Sequence, residues 1–235
     1  TIDSAPGSGS VTVAGNVMTF VPTANWNGVT TFTYSVTDSQ GAVSNIATVT
    51  ITGNGVNDAP SVPSNTLLTT PEDVPITHAV VVTDPDAGDT HSIEIVSAPL
   101  ATEADVSISG MNIVYTPAPN WSGNHEVRYR VIDASGAASN VGFLTITVNS
   151  VNDNPIVNDL SIAVDEDTAG SATSIIQDAD VGDTHTLAIT TNTPFGTIVI
   201  SGLDINFEPQ PNWNGTTTVK YRAVDQNGGN SNIAT

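Results

Sequence analysis

The chain repeats itself with a period of about 94 residues, and this periodicity limits its possible folds more than any other feature. The sequence NWNG begins at Asn25, and closely similar sequences begin at Asn120 and Asn212. Other segments recur around it in the same order. Such self-similarity indicates an array of like modules, each long enough to bury its own core. Such an array is typical of a spacer or a binding protein, because one catalytic site needs no further copies.

Recurring segments also divide the chain. VNDAP begins at Val56 and returns as VNDNP at Val151. Repeat one, residues 1–55, is the C-terminal part of a module; repeat two, residues 56–150, is complete; repeat three, residues 151–235, is expected to lack its last strand. The linkers are short and end in proline, which fixes its own φ angle. We therefore expect stiff joints rather than flexible spacers.

The composition excludes two classes of partner. The formal charge is −20, from 24 Asp and Glu residues against 4 Lys and Arg residues. Such a chain repels a nucleic-acid backbone and an anionic membrane surface. The absence of cysteine excludes disulfides, and no apolar run is long enough to span a bilayer. We expect neither nucleic-acid binding nor membrane insertion.

The local hydrophobic pattern has a period of two residues. Apolar residues that alternate with polar ones include Phe32, Tyr34, Val36, Val127, Tyr129 and Val131. Strict alternation predicts half-buried antiparallel strands, and no helical periodicity is sustained. Turn signals every eight to twelve residues or so, in a unit of about 100 residues, predict a seven-stranded immunoglobulin-like sandwich.

Carboxylates gather at three places in each repeat: the linker, a D-x-D turn and a turn near the end of the repeat. The residues are Asn57, Asp58, Asp84, Asp86, Asp89 and Asp133, then Asn152, Asp153, Asp178, Asp180, Asp183 and Asp225, with Asp38 as the counterpart of Asp133 in repeat one. In a sandwich these turns can meet at one pole, where their charges repel. Dense oxygen ligands suit Ca²⁺. The alternative is that each Asp simply closes an Asx turn.

Taken together, these segments resemble the cadherin repeat and, more closely, the bacterial cadherin-like tandem repeats of large RTX-type surface adhesins. The resemblance covers essentially the entire chain. The segments that carry it, each with a counterpart in repeat three, are VNDAP at Val56, PEDVP at Pro71, DPDAGDTH at Asp84, YTPAPNWSG at Tyr115 and YRVIDASG at Tyr129.

This resemblance implies a fold, a cofactor and a site. The fold is all-β, with tandem immunoglobulin- or cadherin-like seven-stranded Greek-key sandwiches arranged as an extended rod. The cofactor is Ca²⁺, which stiffens each joint. Carried over residue by residue, the ligands are Asn57, Asp58, Asp84, Asp86 and Asp133 at the first joint and Asn152, Asp153, Asp178, Asp180 and Asp225 at the second.

Two further residue pairs recur near these ligands. Glu72 and Glu166 correspond to the cadherin glutamate that faces the following linker. His91 and His185 are interpreted as turn or cap residues, because calcium prefers oxygen ligands to imidazole. Since the N-W-x-G segment replaces the D-R-E motif of cadherins, we expect one ion per joint.

Three functions remain open, and all of them place the chain outside the cell. The first is a non-enzymatic, calcium-rigidified spacer of a large bacterial cell-surface adhesin, with calcium and neighbouring repeats as partners. It would hold a ligand-binding region away from the cell. The second is a segment of an extracellular filament or surface layer, built by contacts with other chains. The third is an accessory module of a secreted carbohydrate enzyme, which requires Trp26, Trp121 and Trp213 to be exposed.

Overall fold

The computed structural model describes residues 1–235 and contains 19 strands and no helix. The predicted all-β class is confirmed. No helix that could span a membrane is present. The chain forms two compact units, with unit 1 made of residues 1–68, 75–116 and 124–146 and unit 2 made of residues 69–74, 117–123 and 147–235.

Repeat one lies in unit 1 and contributes five strands: β1 (Ile2–Ser4), β2 (Ser10–Ala14), β3 (Val17–Val21), β4 (Gly28–Tyr34) and β5 (Ala47–Gly53). Antiparallel pairing joins β1, β4 and β5 in one sheet and β2 with β3 in a hairpin. Phe32 of β4 is buried, as its place in the alternating pattern predicts. Val36 lies beyond the end of β4 and is exposed, because the alternation stops with the strand.

Repeat two has the seven strands that its sequence predicts: β6 (Thr66–Pro71), β7 (Ile76–Ala79), β8 (His91–Ser97), β9 (Ala104–Ser109), β10 (Asn112–Pro117), β11 (Gly123–Asp133) and β12 (Gly142–Asn149). One sheet has the order β7-β10-β9 and the other β6-β12-β11-β8. Division into a three-stranded and a four-stranded sheet is typical of immunoglobulin-like sandwiches.

Alternation along β11 and β12 builds the core of repeat two. Val127, Tyr129 and Val131 have no exposed surface, and neither do Leu144 and Ile146 on β12. The predicted inward face of β11 is therefore confirmed. Burying each aliphatic side chain of this kind contributes about 1.5–3 kcal/mol.

Repeat three lies in unit 2 and contains seven short strands: β13 (Ile156–Val157), β14 (Gly170–Thr173), β15 (Ile176–Gln177), β16 (His185–Thr191), β17 (Gly196–Ser201), β18 (Asp204–Pro209) and β19 (Lys220–Asp225). They form sheets β14-β18-β17, β16-β19 and β13-β15. The pair β13-β15 corresponds to an isolated bridge between Ser61 and Thr83 in repeat two, so the strands of repeat three are not the same set as those of repeat two. The buried core of repeat three includes Val157, Leu187, Ile205, Tyr221 and Ala223.

The N-W-x-G turn contains a left-handed residue in every repeat. Asn25, Asn120 and Asn212 have φ angles of 58°, 56° and 58°. The Asn120 N–H donates to Asp73 Oδ1 at 3.0 Å, and the Asn212 N–H donates to Asp167 Oδ1 at 2.8 Å. Both aspartates are themselves left-handed, with φ angles of 61° and 62°. Each turn is thereby attached to the acidic segment that opens the same repeat.

The tryptophan of each turn is half-buried. Trp213 stacks on Phe195 with ring centroids 5.6 Å apart and meets the ring of Phe207 edge-on at 6.0 Å. Trp26 meets Phe20 edge-on at 5.9 Å. These rings therefore pack against aromatic neighbours within their own repeats.

Candidate metal centre

The turn before β8 positions two carboxylates of repeat two. The Asp86 N–H donates to Asp84 Oδ1 at 2.9 Å, and the Asp89 N–H donates to the Asp86 carbonyl at 3.3 Å. Gly88 has a φ angle of 97°, which side-chain-bearing residues rarely adopt. The corresponding distances in repeat three are 3.0 and 3.2 Å. This Asx turn therefore recurs with the same geometry.

The aspartate that ends β11 supplies a third carboxylate. Asp133 is 5% exposed, and its Oδ1 accepts a hydrogen bond from the Ala137 N–H at 2.8 Å. Its Oδ2 accepts from the Asn57 side-chain amide at 2.9 Å. These bonds, foremost that from Asn57, lower the pKa of Asp133. In repeat three, Asn152 donates to Asp225 at 3.0 Å and lowers its pKa in the same way.

Three carboxylates therefore converge in each of two repeats, with one oxygen of each lying within 4.8 Å of the others. Oxygen–calcium distances of about 2.3–2.6 Å allow two oxygens on one ion to lie up to about 5.2 Å apart. One ion can thus contact all three carboxylates, and their hard oxygens are the donors that Ca²⁺ uses. The first Asp trio is Asp84, Asp89 and Asp133; the second Asp trio is Asp178, Asp183 and Asp225.

The remaining predicted ligands attach the linker to the same turn. Asp86 Oδ2 accepts a hydrogen bond from the Asp58 N–H at 2.7 Å, and Asp180 Oδ2 accepts one from the Asp153 N–H at 2.7 Å. Of the five residues predicted for each joint, two belong to the trio. The asparagine donates a hydrogen bond to one aspartate of the trio. The other two aspartates are joined to each other by the hydrogen bond from the linker N–H described above.

Asp89 and Asp183 belong to the trios although they are absent from the ligands that the resemblance implied. The sequence did contain a signal for them, since each closes the recurring D-x-D-x-G-D segment. Which aspartate of that segment meets the end of β11 depends on the geometry of the turn.

A histidine contacts the first carboxylate of each trio. His91 Nε2 lies 2.7 Å from Asp84 Oδ2, and His185 Nε2 lies 2.6 Å from Asp178 Oδ2. The pKa of Asp84 is lowered, first by the hydrogen bond from His91 and then by that from the Asp86 N–H. These histidines, interpreted from sequence as turn or cap residues, orient a carboxylate of the trio.

Repeat three adds amide donors to the second Asp trio. The side-chain amide of Asn227 donates to Asn152 Oδ1 at 2.7 Å and to Asp183 Oδ2 at 3.2 Å. Gln226 donates to Asp183 Oδ1 at 2.6 Å. Ala134, the counterpart of Gln226 in repeat two, has no amide. The second trio is therefore held by more hydrogen bonds than the first.

The acidic segment near the start of repeat two contacts the linker that follows this repeat. Glu72 is 6% exposed, and its Oε1 accepts a hydrogen bond from the Val151 N–H at 2.5 Å. Glu166, its counterpart in repeat three, is exposed. A polar cleft of about 690 Å³ in unit 2 is lined by residues that include Glu72, Asn120, Asn152, Asp180, Asp183 and Asn227.

Negative charge is crowded beside this cleft. Burial raises the pKa of Asp153, and the charges of Asp180, Asp73 and Asp178 raise it further. A bound cation would offset this repulsion, because an opposite charge nearby favours the ionised carboxylate.

We expect the calcium-free chain to lose stability as the pH falls below about 4. Asp84, Asp133 and Asp225 have lowered pKa values in the folded chain, so their stabilisation is complete above the unfolded value of about 3.9 and is lost as the pH falls through the folded values. Asp153 acts oppositely: its raised pKa means that acidification first relieves its destabilising charge.

The urea concentration at the midpoint of unfolding should therefore rise slightly or stay level on mild acidification and then fall at lower pH. Asp153→Asn should remove any initial rise and leave the later fall. A midpoint that does not change between pH 7 and about pH 2 would contradict the lowered pKa values.

Comparison with known proteins agrees with this description. A family model described as "Bacterial Ig domain" matches residues 1–52, 57–147 and 152–235. No curated protein sequence matches the chain.

Solved cadherin structures have a similar fold. The protocadherin GammaB4 extracellular domain aligns with 100% of this chain and 43% of its own, at a TM-score of 0.58 and 16% identity. The alignment with the protocadherin gammaB7 EC3-6 cis-dimer structure covers 99% of this chain and 68% of that protein, with a TM-score of 0.54 and 14% identity. The alignment with extracellular cadherin domains 1–5 of protocadherin Gamma B2 covers 100% of this chain and 51% of that protein, with a TM-score of 0.53 and 14% identity. The chain thus spans less than half of the first of these proteins, and the resemblance to cadherin-like repeats is confirmed at the level of fold.

Proposed function

Because the chain belongs to the bacterial Ig domain family and carries three of its domains in tandem, we propose that it is a calcium-stiffened, non-enzymatic spacer of a large bacterial surface adhesin. Tandem immunoglobulin- and cadherin-like domains indicate an extracellular structural or adhesive role. The spacer would hold a ligand-binding region away from the cell surface.

The recurrence of the Asp trio at the same place in two repeats carries this proposal. Each trio combines two aspartates of one turn with the aspartate that ends a later strand. A catalytic centre has no need of a copy in each repeat, whereas a device that stiffens an array is needed at every joint. The repeated arrangement therefore favours a mechanical role.

The hydrogen bonds around each trio explain how ion binding could stiffen a joint. Asn57 of the linker donates to Asp133 of the first Asp trio, and Asp86 accepts from the Asp58 N–H. The linker backbone is thereby attached to the turn that holds the trio. When bound, Ca²⁺ supplies positive charge that offsets the repulsion among the three carboxylates. The linker then gains a fixed place on the repeat that follows it.

Ion affinity would determine where the spacer is stiff. Extracellular calcium modules bind with dissociation constants of about 10⁻⁴ to 10⁻³ M. At such affinity the sites fill outside the cell and stay empty at lower calcium concentrations. The same chain would be flexible during export and stiff afterwards.

Small-angle X-ray scattering tests the mechanical role. We expect chelation to change the largest dimension of the chain and to broaden the distribution of its interatomic distances, because the linkers become more mobile without calcium. A double variant, Asp133→Asn with Asp225→Asn, should behave in calcium as the native chain does in chelator. An unchanged distance distribution, with calcium binding proven separately, would refute stiffening and leave the ion sites intact.

A further inference from the structure

The Lys and Arg residues of this chain lie at matched positions in two repeats. Arg128 and Arg130 alternate with buried residues on β11, and Lys220 and Arg222 alternate with buried residues on β19. The alternation places both members of each pair on the outer face of their strand, about 7 Å apart. The chain has 4 Lys and Arg residues in all, so these two strand faces hold all of them.

In repeat two, both cations are paired with carboxylates of the same repeat. Arg130 Nε and Nη2 donate to the two carboxylate oxygens of Glu94 at 2.9 and 3.1 Å. Glu94 lies directly opposite Arg130 in the register of β8 and β11. Arg128 Nε donates to Glu126 Oε1 at 2.7 Å. The outer face of β11 therefore carries its own neutralising anions.

Repeat three keeps the arginine and lacks its carboxylate. Ala188 lies opposite Arg222 in the register of β16 and β19, at the position that Glu94 holds in repeat two. Residues 230–234 run antiparallel along the other side of β19 and contain no charged side chain. Arg222 therefore has no carboxylate on either neighbouring segment, and it forms no ion pair.

The lysine of repeat three has lost its carboxylate as well. Thr218 stands two residues before Lys220, where Glu126 precedes Arg128 in repeat two. Lys220 is exposed and forms no ion pair. The outer face of β19 is thus a local positive surface on a chain whose formal charge is −20.

The guanidinium of Arg222 is open to an anion from outside. Its Nε is buried and has no hydrogen-bond partner, although the side chain as a whole is partly exposed. A buried charged donor without a partner is unfavourable, and a nearby anion offsets part of that cost. Ala188 has only a methyl group and is partly exposed, so the place beside Arg222 is accessible. Carboxylates match the planar fork of a guanidinium group.

The surroundings of the two cations indicate a hydrophilic ligand. Exposed threonines lie beside them: Thr191 is opposite Lys220 in the register, and Thr186 is one step further along β16 from Ala188. Threonine hydroxyls both donate and accept hydrogen bonds, as sugar hydroxyls do. Protein–protein interfaces have apolar cores enriched in aromatic residues, whereas this face presents no aromatic side chain.

We propose that Lys220, Arg222 and the threonines beside them bind an acidic polysaccharide through the carboxylates of its uronic acids. Arg222 binds one carboxylate, Lys220 attracts a second, and the threonines bond the sugar hydroxyls. These carboxylates are spaced a sugar ring apart, more widely than the phosphates of a nucleic acid. Charges on the chain beyond the Debye length of about 8 Å are largely screened. The site goes beyond the spacer role and does not depend on calcium.

Titration of the full chain with an oligomer of galacturonic acid, followed by NMR, tests this inference. Chelator is present throughout, so that calcium neither bridges the oligomer to the chain nor fills the Asp trios. Amide signals of β16 and β19 should shift, those of β8 and β11 should not, and added salt should weaken binding. The fully methyl-esterified oligomer has the same sugars without the charge and should not bind. Equal binding of both oligomers, or of neither, overturns the proposal.

Substitutions identify the side chains responsible. Arg222→Gln should weaken binding by about 10- to 100-fold, whereas the matched change Arg130→Gln in repeat two should have no effect. Ala188→Glu gives Arg222 an internal carboxylate and should abolish binding while the cation remains. Because Glu94 occupies the same register position in repeat two, this variant should keep the native melting temperature. Undiminished binding in Arg222→Gln or in Ala188→Glu contradicts the assignment.

Sedimentation of the chain without oligomer examines the competing partner, a second copy of the chain. We expect a monomer at every concentration, because each copy has a large negative charge. Dimers that Arg222→Gln abolishes would assign this face to carboxylates of a second copy and overturn the polysaccharide site.

Discussion

Calcium is expected to raise the melting temperature of the chelator-treated chain. At free calcium of about 100 times the Kd, an occupied site adds about 2.7 kcal/mol to the free energy of unfolding, because the ion binds the folded state alone. For a domain of about 95 residues this corresponds to an increase of roughly 10–20 °C. The unfolded chain has no matching site, since Asp89 and Asp133 meet only when β11 is in place. Scanning calorimetry with and without chelator measures the effect.

Single substitutions should separate the two sites. Asp133→Asn removes a charge from the first Asp trio and keeps a carbonyl oxygen that can accept the Ala137 N–H. Asp225→Asn does the same in the second. Each variant should lose one of two bound ions in a calorimetric titration. The control is Asp105→Asn, an exposed carboxylate on β9 outside both trios. If both site variants bind as many calcium ions as the native chain and show the same calcium-induced rise in melting temperature, the Asp trios are not the calcium sites.

Replacing Leu144 by alanine is expected to lower the free energy of unfolding of repeat two by about 2–5 kcal/mol. Leu144 has no exposed surface and lies on β12, in the centre of the four-stranded sheet. Truncation removes buried methyl groups and leaves a cavity that the surrounding core fills only in part. Urea unfolding of the variant and the native chain gives the difference.

Leu67→Ala is the matched control for this substitution. Leu67 lies on β6, next to β12 in the same sheet, but is 73% exposed. The chemical change is identical, and the expected effect is within about 0.5 kcal/mol. Equal losses in the two variants would contradict the inward orientation of Leu144.

The fold was predictable because its signals are local and repeated. Alternation in β11 identifies Val127, Tyr129 and Val131 as the inward face, and the structure buries all three completely. Seven strands per complete repeat follow from the spacing of turn signals. The same reasoning fails for Val36, because a period-two pattern does not show where a strand ends.

Membership of the Asp trios was less predictable. Asp86 and Asp89 lie in one turn, and the turn geometry sends Asp86 to the linker N–H of Asp58 and Asp89 to the trio. Pairing of His91 with Asp84 depends on the backbone path between β7 and β8. Neither contact can be predicted from residue types and their spacing alone.

The tryptophans show a further limit of sequence analysis. The sequence places Trp213 in a turn but cannot show that Phe195 stacks on it, because the corresponding segment of repeat two, residues 98–103, contains no aromatic residue. Since an aromatic neighbour occupies one face of the indole, less of the ring is free to stack on a sugar. This packing gives no support to the accessory carbohydrate function.

The hydrogen bond from the backbone N–H of Asn120 to Asp73 Oδ1 limits how the sequences of tandem copies of this repeat can diverge. Both residues are left-handed, a conformation that costs about 1–2 kcal/mol for most side chains and less for Asn and Asp. Replacing Asp73 leaves the backbone N–H of Asn120 without its acceptor, and replacing Asn120 by a residue that avoids the left-handed conformation moves that N–H, although 46 residues separate the two positions. Recombination between unlike copies is therefore tolerated where both parents carry the pair. The two positions should covary across tandem copies, and Asn212 with Asp167 is the same pair inherited intact.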